Sequence, residues 1–155
     1  MSMVEHPSLL KLLVQATDAY ERALNPLLRD GLGTELRPAH YAVFRHLAPG
    51  GSRVTSLAEA AGMTQQSMGE LVTHLEKCGY VLRTPDPADG RARLVVTTAA
   101  GQEAVALAGR HIQWIEQTIA AELGTESLTA VRAALARLPA VLADHADARS
   151  AEDAG

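Results

Sequence analysis

Apolar residues recur every three or four positions along much of the chain, which is the period of an amphipathic α-helix. The first stripe predicts a helix over residues 8–30. Its apolar positions are Leu9, Leu13, Ala16, Tyr20, Ala23, Leu24, Leu27 and Leu28. Pro26 should kink this helix or end it early, because an interior proline removes a hydrogen bond and clashes with the preceding turn. Pro38 is suited to the first position of the next helix, whose buried side would hold Tyr41, Val43, Phe44 and Leu47.

Two further helices are predicted after the central part of the chain. Thr98 can cap a long helix that reaches Leu123, and Gly124 separates it from a last helix in which Pro139 could introduce a bend. Their apolar positions are Val105, Ala108, Ile112, Ile115 and Ile119, then Leu128, Val131, Leu135, Leu138 and Leu142. This rhythm is typical of a coiled-coil seam, and it favours a homodimer. The alternative is that these stripes form only the core of one chain.

Between these helices the pattern predicts two short helices joined by a tight turn. Residues 56–61 form the first, with Ser56 and Glu59 at capping-box spacing. A turn at residues 62–63 follows, and the second helix covers residues 64–78, with Thr64 as its N-cap and Gly79 just beyond its end. This order is the helix-turn-helix pattern, in which the second helix enters a DNA groove.

The second of these helices has one apolar and one polar face. The apolar face consists of Met68, Leu71, Val72 and Leu75, and the polar face of Gln65, Gln66, Gly69, Glu70, Thr73, His74 and Lys77. Amide, carboxylate and imidazole groups can read base edges in the major groove. The candidate DNA contacts are Gln65, Gln66, Ser67, Glu70 and His74 for bases, and Thr64 for a phosphate. Simple solvent exposure is the alternative for each of them.

After Gly79 the pattern changes from that of a helix to that of a strand. Residues 80–84 and 91–97 predict a β-hairpin, and residues 85–90 are rich in the Pro, Asp and Gly of a turn. Arg91 and Arg93 lie two apart on a strand, so they point to one side and could reach phosphates or a minor groove. The predicted fold is therefore mainly α with a small β-hairpin wing.

Charge distinguishes the central part of the chain from its ends. The net charge is −4, but residues 37–100 carry seven Lys or Arg against five Asp or Glu. Residues 1–36 carry three against five, and residues 101–155 carry four against eight. Only the central third is basic, which fits phosphate contact by that part, although charges that merely solvate the surface would give the same count.

The central motifs resemble the MarR family of winged helix-turn-helix regulators. The resemblance rests on residues 57–64, 71–72, 75–81 and 86–91, running into 94–101, and the similar layout extends over about residues 7–143. By this resemblance Asp89 would hold the wing tip and Arg91 would contact DNA. Gln65 and Glu70 stand where the family commonly has arginine. Gly69 costs up to ~1 kcal/mol against alanine inside a helix, so either something approaches it closely or the position is tolerated.

The resemblance implies a division of the chain into four parts. These are an N-terminal dimerisation helix (1–36), a winged helix-turn-helix DNA-binding domain (37–98), C-terminal dimerisation helices (99–145) and a flexible tail (146–155). The implied function is a homodimer that represses genes near its own from a palindromic operator in double-stranded DNA. A small-molecule effector would release it by binding between the DNA-binding domain and the dimer helices. Residues that could line such a pocket, or simply pack in the core, are Tyr20, Tyr41, Phe44, His111 and Trp114.

Other functions leave weaker signals. The six histidines form no familiar zinc spacing, no cofactor motif is present, and the chain lacks the glycine loops and nucleophile motifs of common enzymes, so neither a metal site nor an enzyme is expected. Cys78, the single cysteine, is a packing residue or a redox sensor. A winged-helix module that binds a protein partner is the other alternative. With no signal peptide or membrane-spanning run, a cytoplasmic location without membrane association is expected.

Overall fold

The chain folds mainly into α-helices with one two-stranded antiparallel hairpin, as the sequence predicts. The structure is a computed structural model, and it describes residues 6–154. The elements in order are α1 (Leu9–Leu32), α2 (Pro38–His46), α3 (Val54–Ala61), α4 (Gln65–Lys77), β1 (Val81–Asp86), β2 (Asp89–Thr97), α5 (Ala99–Leu123) and α6 (Thr125–Asp153). Within the described residues, no helix has the length and apolar character that crossing a membrane requires.

Helix α1 continues through Pro26, so the expectation that it could end there is wrong. Ser8 caps the helix by accepting a hydrogen bond from the Lys11 N–H at 3.2 Å. Leu24 and Leu28, on either side of the proline, are both buried in the core. Their burial stabilises the helix on both sides of Pro26 and offsets the lost backbone hydrogen bond.

Helix α2 begins at Pro38, as predicted, but α3 begins before the predicted cap at Ser56. Arg53 is the N-cap residue of α3, and its carbonyl accepts the first helical bond from the Leu57 N–H at 3.0 Å. The preceding residue, Ser52, exchanges two backbone hydrogen bonds with Val95 of the hairpin. This long-range bridge fixes the chain before α3, and the helix starts directly after it.

Helix α4 has both of its predicted ends. The Thr64 hydroxyl accepts a hydrogen bond from the Ser67 N–H at 3.1 Å, which satisfies one of the free donors of the first turn. At the other end Gly79 has a φ of 85°, and the Tyr80 N–H donates to the Leu75 carbonyl at 2.9 Å. This closes the helix with a left-handed glycine, which residues with a Cβ rarely replace.

The wing is a hairpin with a tighter turn than the sequence indicated. Strand β1 pairs with β2 from Val81 opposite Thr97 to Asp86 opposite Asp89, which leaves residues 87–88 as the loop. The pairing shifts register between Pro85 and Asp86. Such an irregularity twists the strand, and it occurs where a proline cannot donate to the ladder.

The core lies where α2, α3, α4 and β1 pack together. Its fully buried side chains come from each of these elements and from β2. They are Val43, Leu57, Met68, Val72, Leu75, Val81 and Val95. The apolar stripe predicted for α4 is therefore largely buried, and its polar face is directed away from this core.

Two compact units divide the chain within α5, one up to Ile112 and one from Gln113 onward. In the second unit, no described residue of α6 is buried, and Val131 and Leu142 are 51% and 59% exposed. In the first unit, the apolar residues near the start of α1, such as Leu9 and Leu10, are exposed as well. Helix α6 also includes residues that we expected in the tail, because alanine-rich sequence favours the helix.

Candidate nucleic-acid interface

The polar face of α4 presents a row of exposed side chains at the start of the helix. Gln65, Gln66, Ser67 and Glu70 are all exposed. The Thr64 hydroxyl also donates to the Ser67 hydroxyl at 2.9 Å, so these two side chains share the capping of the helix. The amide groups of Gln65 and Gln66 and the carboxylate of Glu70 make no hydrogen bond within the described residues. They are available to another molecule.

His74 is placed differently from the other predicted base contacts. Its Nε2 lies 2.8 Å from the Glu35 carbonyl oxygen, and its ring lies against the ring of His40, with centroids 4.4 Å apart. His40 is buried, and its Nδ1 accepts a hydrogen bond from the Arg37 N–H at 2.9 Å. His74 therefore attaches α4 to the segment before α2, and that ring nitrogen is not free to read a base. The role predicted for His74 would therefore fall to its other ring nitrogen, Nδ1, and it stays a prediction.

Cys78 lies close to the same cluster. Its Sγ is 3.5 Å from His74 Nε2 and 3.8 Å from Glu35 Oε2. Burial raises the pKa of the Cys78 thiol, and the Glu35 carboxylate raises it further. A raised pKa lowers the thiolate fraction at neutral pH, and the thiolate is the form that reacts. These contacts favour the packing interpretation over a redox sensor.

A metal centre finds no support in the same cluster. His74 and Cys78 are four residues apart at the end of α4, a spacing that brings side chains together, and they come within 3.5 Å of each other. Even so, residues 6–154 contain no group of three or more His, Cys, Asp or Glu side chains that could hold a metal ion.

Arg83 on β1 is a residue that the sequence did not single out. Its guanidinium donates to Glu76 Oε1 at 3.2 Å, to the Gly69 carbonyl at 3.1 Å and to the Thr73 hydroxyl at 3.2 Å. Its backbone N–H also donates to Glu76 Oε2, at 3.1 Å. This one side chain fixes the wing on α4. Only the alternation of β1, which turns Arg83 towards the helix, could have indicated this.

The wing tip is held by Asp86 rather than by Asp89 alone. Asp86 Oδ2 accepts hydrogen bonds from Arg53 Nη2 at 2.7 Å and Nε at 3.1 Å, and Asp86 Oδ1 accepts from the Ala88 N–H at 2.9 Å. The Ala88 N–H and then the Arg53 side chain lower the pKa of the Asp86 carboxyl. Asp89 makes only a local contact, with Oδ1 3.1 Å from the Arg91 backbone nitrogen. Asp86 is thus a wing-tip residue that the sequence did not single out, and the role expected for Asp89 stays a prediction.

Arg91 and Arg93 are exposed on the second strand. Across the described part of the chain, neither guanidinium forms an ion pair, whereas Arg53 and Arg83 each have a carboxylate partner. Arg53 and Arg83 thus hold the wing in place, and two further arginines project from it unpaired. Unpaired guanidinium groups on a strand are suited to binding phosphate.

A separate cavity of about 230 Å³ lies between α1, α2 and the first part of α5. Its lining is apolar except for the Tyr41 hydroxyl and for Arg45, whose guanidinium lies 3.6 Å from Glu21. Its lining residues are Leu24, Leu28, Leu32, Tyr41, Phe44, Arg45, Ala104, Val105, Ala108, Gly109 and Ile112. Burial raises the pKa of the Tyr41 hydroxyl, which therefore stays protonated at neutral pH.

The predicted effector pocket overlaps this cavity only in part. Tyr41 and Phe44 line it. Tyr20 and His111 are half-buried but are not among its lining residues. Trp114 belongs to the second unit, where its side chain is 59% exposed. Aliphatic residues of α1 and α5 form most of the wall instead, and their stripe positions did not distinguish a cavity from a closed core.

Comparison with known proteins gives matches both from sequence and from structure. Residues 34–92 match the model of the MarR family. A segment of 76 residues, 48% of this chain, is 41% identical to the transcriptional regulator HosA of Escherichia coli O111:H-. That match spans only 56% of the HosA chain, so the chain covers about half the length of this curated relative.

Solved structures match over most of both chains. NadR in complex with 4-hydroxyphenylacetate is similar with a TM-score of 0.73 and 26% identity, covering 89% of this chain and 96% of NadR. PcaV of Streptomyces coelicolor, in complex with its natural ligand, has a TM-score of 0.64 and 26% identity, covering 92% and 99%. The helix-turn-helix, the wing and these similarities show a winged helix-turn-helix fold, and residues 34–92 are similar to the MarR family.

Proposed function

We propose that this protein is a transcriptional regulator, and not an enzyme, which binds a palindromic operator in double-stranded DNA as a homodimer. The observation that carries the proposal is the exposed polar face of α4 beside two unpaired wing arginines. Gln65, Gln66 and Ser67 would read base edges, since an amide side chain can make two hydrogen bonds to adenine. Glu70 would accept a hydrogen bond from cytosine. Thr64 and the first-turn N–H groups would lie against a phosphate.

The wing would contribute affinity rather than sequence reading. Arg91 and Arg93 are exposed and unpaired within the described residues, so they can neutralise phosphates or enter a narrow minor groove. The hydrogen bonds of Arg83 to α4 would keep a fixed distance between the wing and this helix. Two such units in a dimer would contact half-sites about 10 base pairs apart.

We place dimerisation on α1 and on the helices after residue 98. The exposed apolar side chains of α1 and α6 support this, because contiguous apolar surface commonly marks an interface. The segments proposed for dimerisation are residues 1–36 and 99–145, and residues 37–98 are the DNA-binding domain. We also propose a cytoplasmic location, since the one cysteine is free and an oxidising compartment is not required.

The proposed regulation is release from the operator by a small aromatic acid, so that the protein acts as a repressor. The cavity supports this class of effector because it combines the aromatic rings of Tyr41 and Phe44 with the Arg45 cation. NadR, which is similar in structure, is in complex with 4-hydroxyphenylacetate, a compound of this class. The effector can release DNA only if it binds more tightly to a conformation that does not fit the operator.

The DNA-binding proposal is tested by titrating the purified protein with the DNA upstream of its own gene over a range of salt concentrations. We expect tight binding that weakens steeply with salt. Arg91→Ala should weaken binding to all sequences alike and reduce the slope of log K against log salt by about 1 for each phosphate that is no longer neutralised. Arg149→Ala, an exposed arginine of α6, is the matched control and should bind like the wild type.

The opposite result would favour a protein partner for the same surface. A protein partner on this weakly charged face would bind with little salt dependence, and Arg91→Ala would then change nothing on DNA.

The effector is tested separately by adding 4-hydroxyphenylacetate to the protein–DNA complex. Release that is abolished in Arg45→Gln, with DNA affinity unchanged in the absence of the acid, supports the proposed pocket. Binding of the acid without release would contradict its role as the effector.

A further inference from the structure

Gly69 lies in the middle of α4, on the polar face that we propose to contact DNA. A glycine inside a helix lowers stability by roughly 0.5–1 kcal/mol relative to alanine. Its backbone does not require glycine, because it is not among the residues with a positive φ. A Cβ built at this position would meet no atom within 4 Å. Within the described residues, nothing in the fold explains why this position lacks a side chain.

The missing side chain leaves a notch in the polar face of α4. The notch forms part of a concave surface of about 380 Å³, and the side chains around it are Gln66, Glu70, Thr73, His74, Lys77 and Arg83. Its floor is rigid, because the Gly69 carbonyl accepts hydrogen bonds from the Thr73 hydroxyl at 2.9 Å and from Arg83 Nη2 at 3.1 Å. The Gly69 carbonyl therefore needs no further partner, and the group exposed at the floor of the notch is the apolar CH₂ of Gly69.

The surroundings of the notch favour a base over a phosphate. The Glu70 carboxylate and the Lys77 ammonium group both line it, so their opposite charges leave little net attraction for a phosphate. Arg83 is already bound to Glu76 and to the Gly69 carbonyl, so its charge is largely compensated. Gln66 stands one helical turn before Gly69 and is free to bind a base edge. In the major groove the one apolar group that projects from a base edge is the methyl group of thymine.

We propose that Gly69 determines sequence specificity by admitting a thymine methyl group into this notch. The methyl group would pack on the Gly69 CH₂, while Gln66 would bind an adenine next to it on the same face. A side chain at position 69 would occupy the space that the methyl group needs. This inference rests on the proposed function, since it names the base that the reading helix recognises.

The test uses a duplex that the wild-type protein selects from random DNA, and a copy in which single thymines are replaced by deoxyuridine. Deoxyuridine removes only the C5-methyl group. For the wild type we expect one thymine in each half-site whose replacement weakens binding about fourfold, the effect of one buried methyl group. Gly69→Ala should weaken binding to the selected duplex about tenfold or more, within the range for one base contact, and should be insensitive to that replacement.

Ser150→Ala is the control, because Ser150 is exposed in α6, outside every segment proposed to bind DNA, effector or partner chain, and alanine there also favours the helix. Both variants should unfold at higher urea concentration than the wild type, which separates weaker DNA binding from a failure to fold. If Gly69→Ala binds the duplex like the wild type, or if no thymine replacement matters, the proposed role of Gly69 is wrong. If the wild type selects no duplex at all, the proposed function itself fails, and the inference fails with it.

Discussion

His40 shows how a single side chain connects the beginning of α2 to α4. It is buried, it accepts the Arg37 N–H at Nδ1, and its ring lies against His74 of α4. Burial lowers the pKa of His40 below its ordinary value of 6.5, and the nearby His74 and the Arg37 charge lower it further. A proton on Nδ1 would also remove the acceptor for that N–H. The fold therefore favours neutral His40.

This arrangement predicts that stability decreases as the solution becomes acidic. Above pH 6.5 His40 is neutral in both the folded and the unfolded protein. Below pH 6.5 the unfolded chain takes up the proton first, because the pKa of His40 is lower in the folded state. The free energy of unfolding therefore falls with decreasing pH until the folded-state pKa is passed. His40→Asn keeps an acceptor for the Arg37 N–H but cannot titrate. Urea unfolding between pH 7 and pH 5 should show a smaller pH dependence for this variant.

The control for this measurement is His145→Asn, which changes an exposed histidine of α6. It should follow the wild-type pH profile. An unchanged slope in His40→Asn would show that another group carries the acid sensitivity.

At the scale of elements, the junction between the wing and α5 is closely packed. Thr98 caps α5, because its hydroxyl accepts the Gly101 N–H at 3.1 Å, and the same hydroxyl donates to the Gly79 carbonyl. A Cβ on Gly101 would collide with the Tyr80 carbonyl oxygen. The first turn of α5 thus lies directly against the end of α4 and the beginning of β1. Movement of α5 would be transmitted to α4 at this point.

We predict that Gly101→Ala destabilises the protein by about 1–3 kcal/mol, the usual range for overpacking, because a backbone carbonyl cannot move aside as a flexible side chain can. Gly109→Ala in the same helix meets no such contact and should not destabilise the fold. Chemical denaturation of the two variants measures the difference directly. Equal stabilities would mean that α5 can shift away from Tyr80 at no cost in free energy.

At the scale of the whole molecule, the exposed apolar residues of α1 and α6 argue for a partner chain. Helix α6 contains no buried residue among those described, although Leu135 and Leu142 belong to a regular apolar stripe. A long apolar stripe left in water favours association. A homodimer would also raise the DNA affinity, because the second half-site is bound at a high effective concentration.

The double variant Leu135→Lys, Leu142→Lys should therefore be monomeric, because two charges would be placed in the proposed seam. Size-exclusion chromatography with light scattering gives the mass of each species. Affinity for a palindromic duplex should fall by about 100-fold or more, because a monomer binds only one half-site. Ala133→Lys, two residues before Leu135 and so on the opposite side of α6, should remain dimeric. A dimeric double variant would exclude this stripe as the interface.

Local chemistry in the sequence determined the elements of this protein and many of their ends. Pro38 begins α2, Thr64 caps α4 and Gly79 ends it, because each depends on one residue and its immediate neighbours. The change of period after Gly79 likewise placed the hairpin. The residues that we propose to contact DNA follow from the polar face of α4 and from the wing arginines, since both are readable as patterns along the chain.

Only the tertiary structure decided which polar residues are free and which are engaged. The bonds of Arg83 to α4, the pairing of Arg53 with Asp86 and the attachment of His74 to Glu35 join residues far apart in sequence. Spacing along the chain cannot show such partners, because they depend on how the wing and helices pack. The same holds for Pro26, whose helix persists because Leu24 and Leu28 are buried on either side of it. Local propensity predicts an element, and long-range packing assigns its side chains their partners.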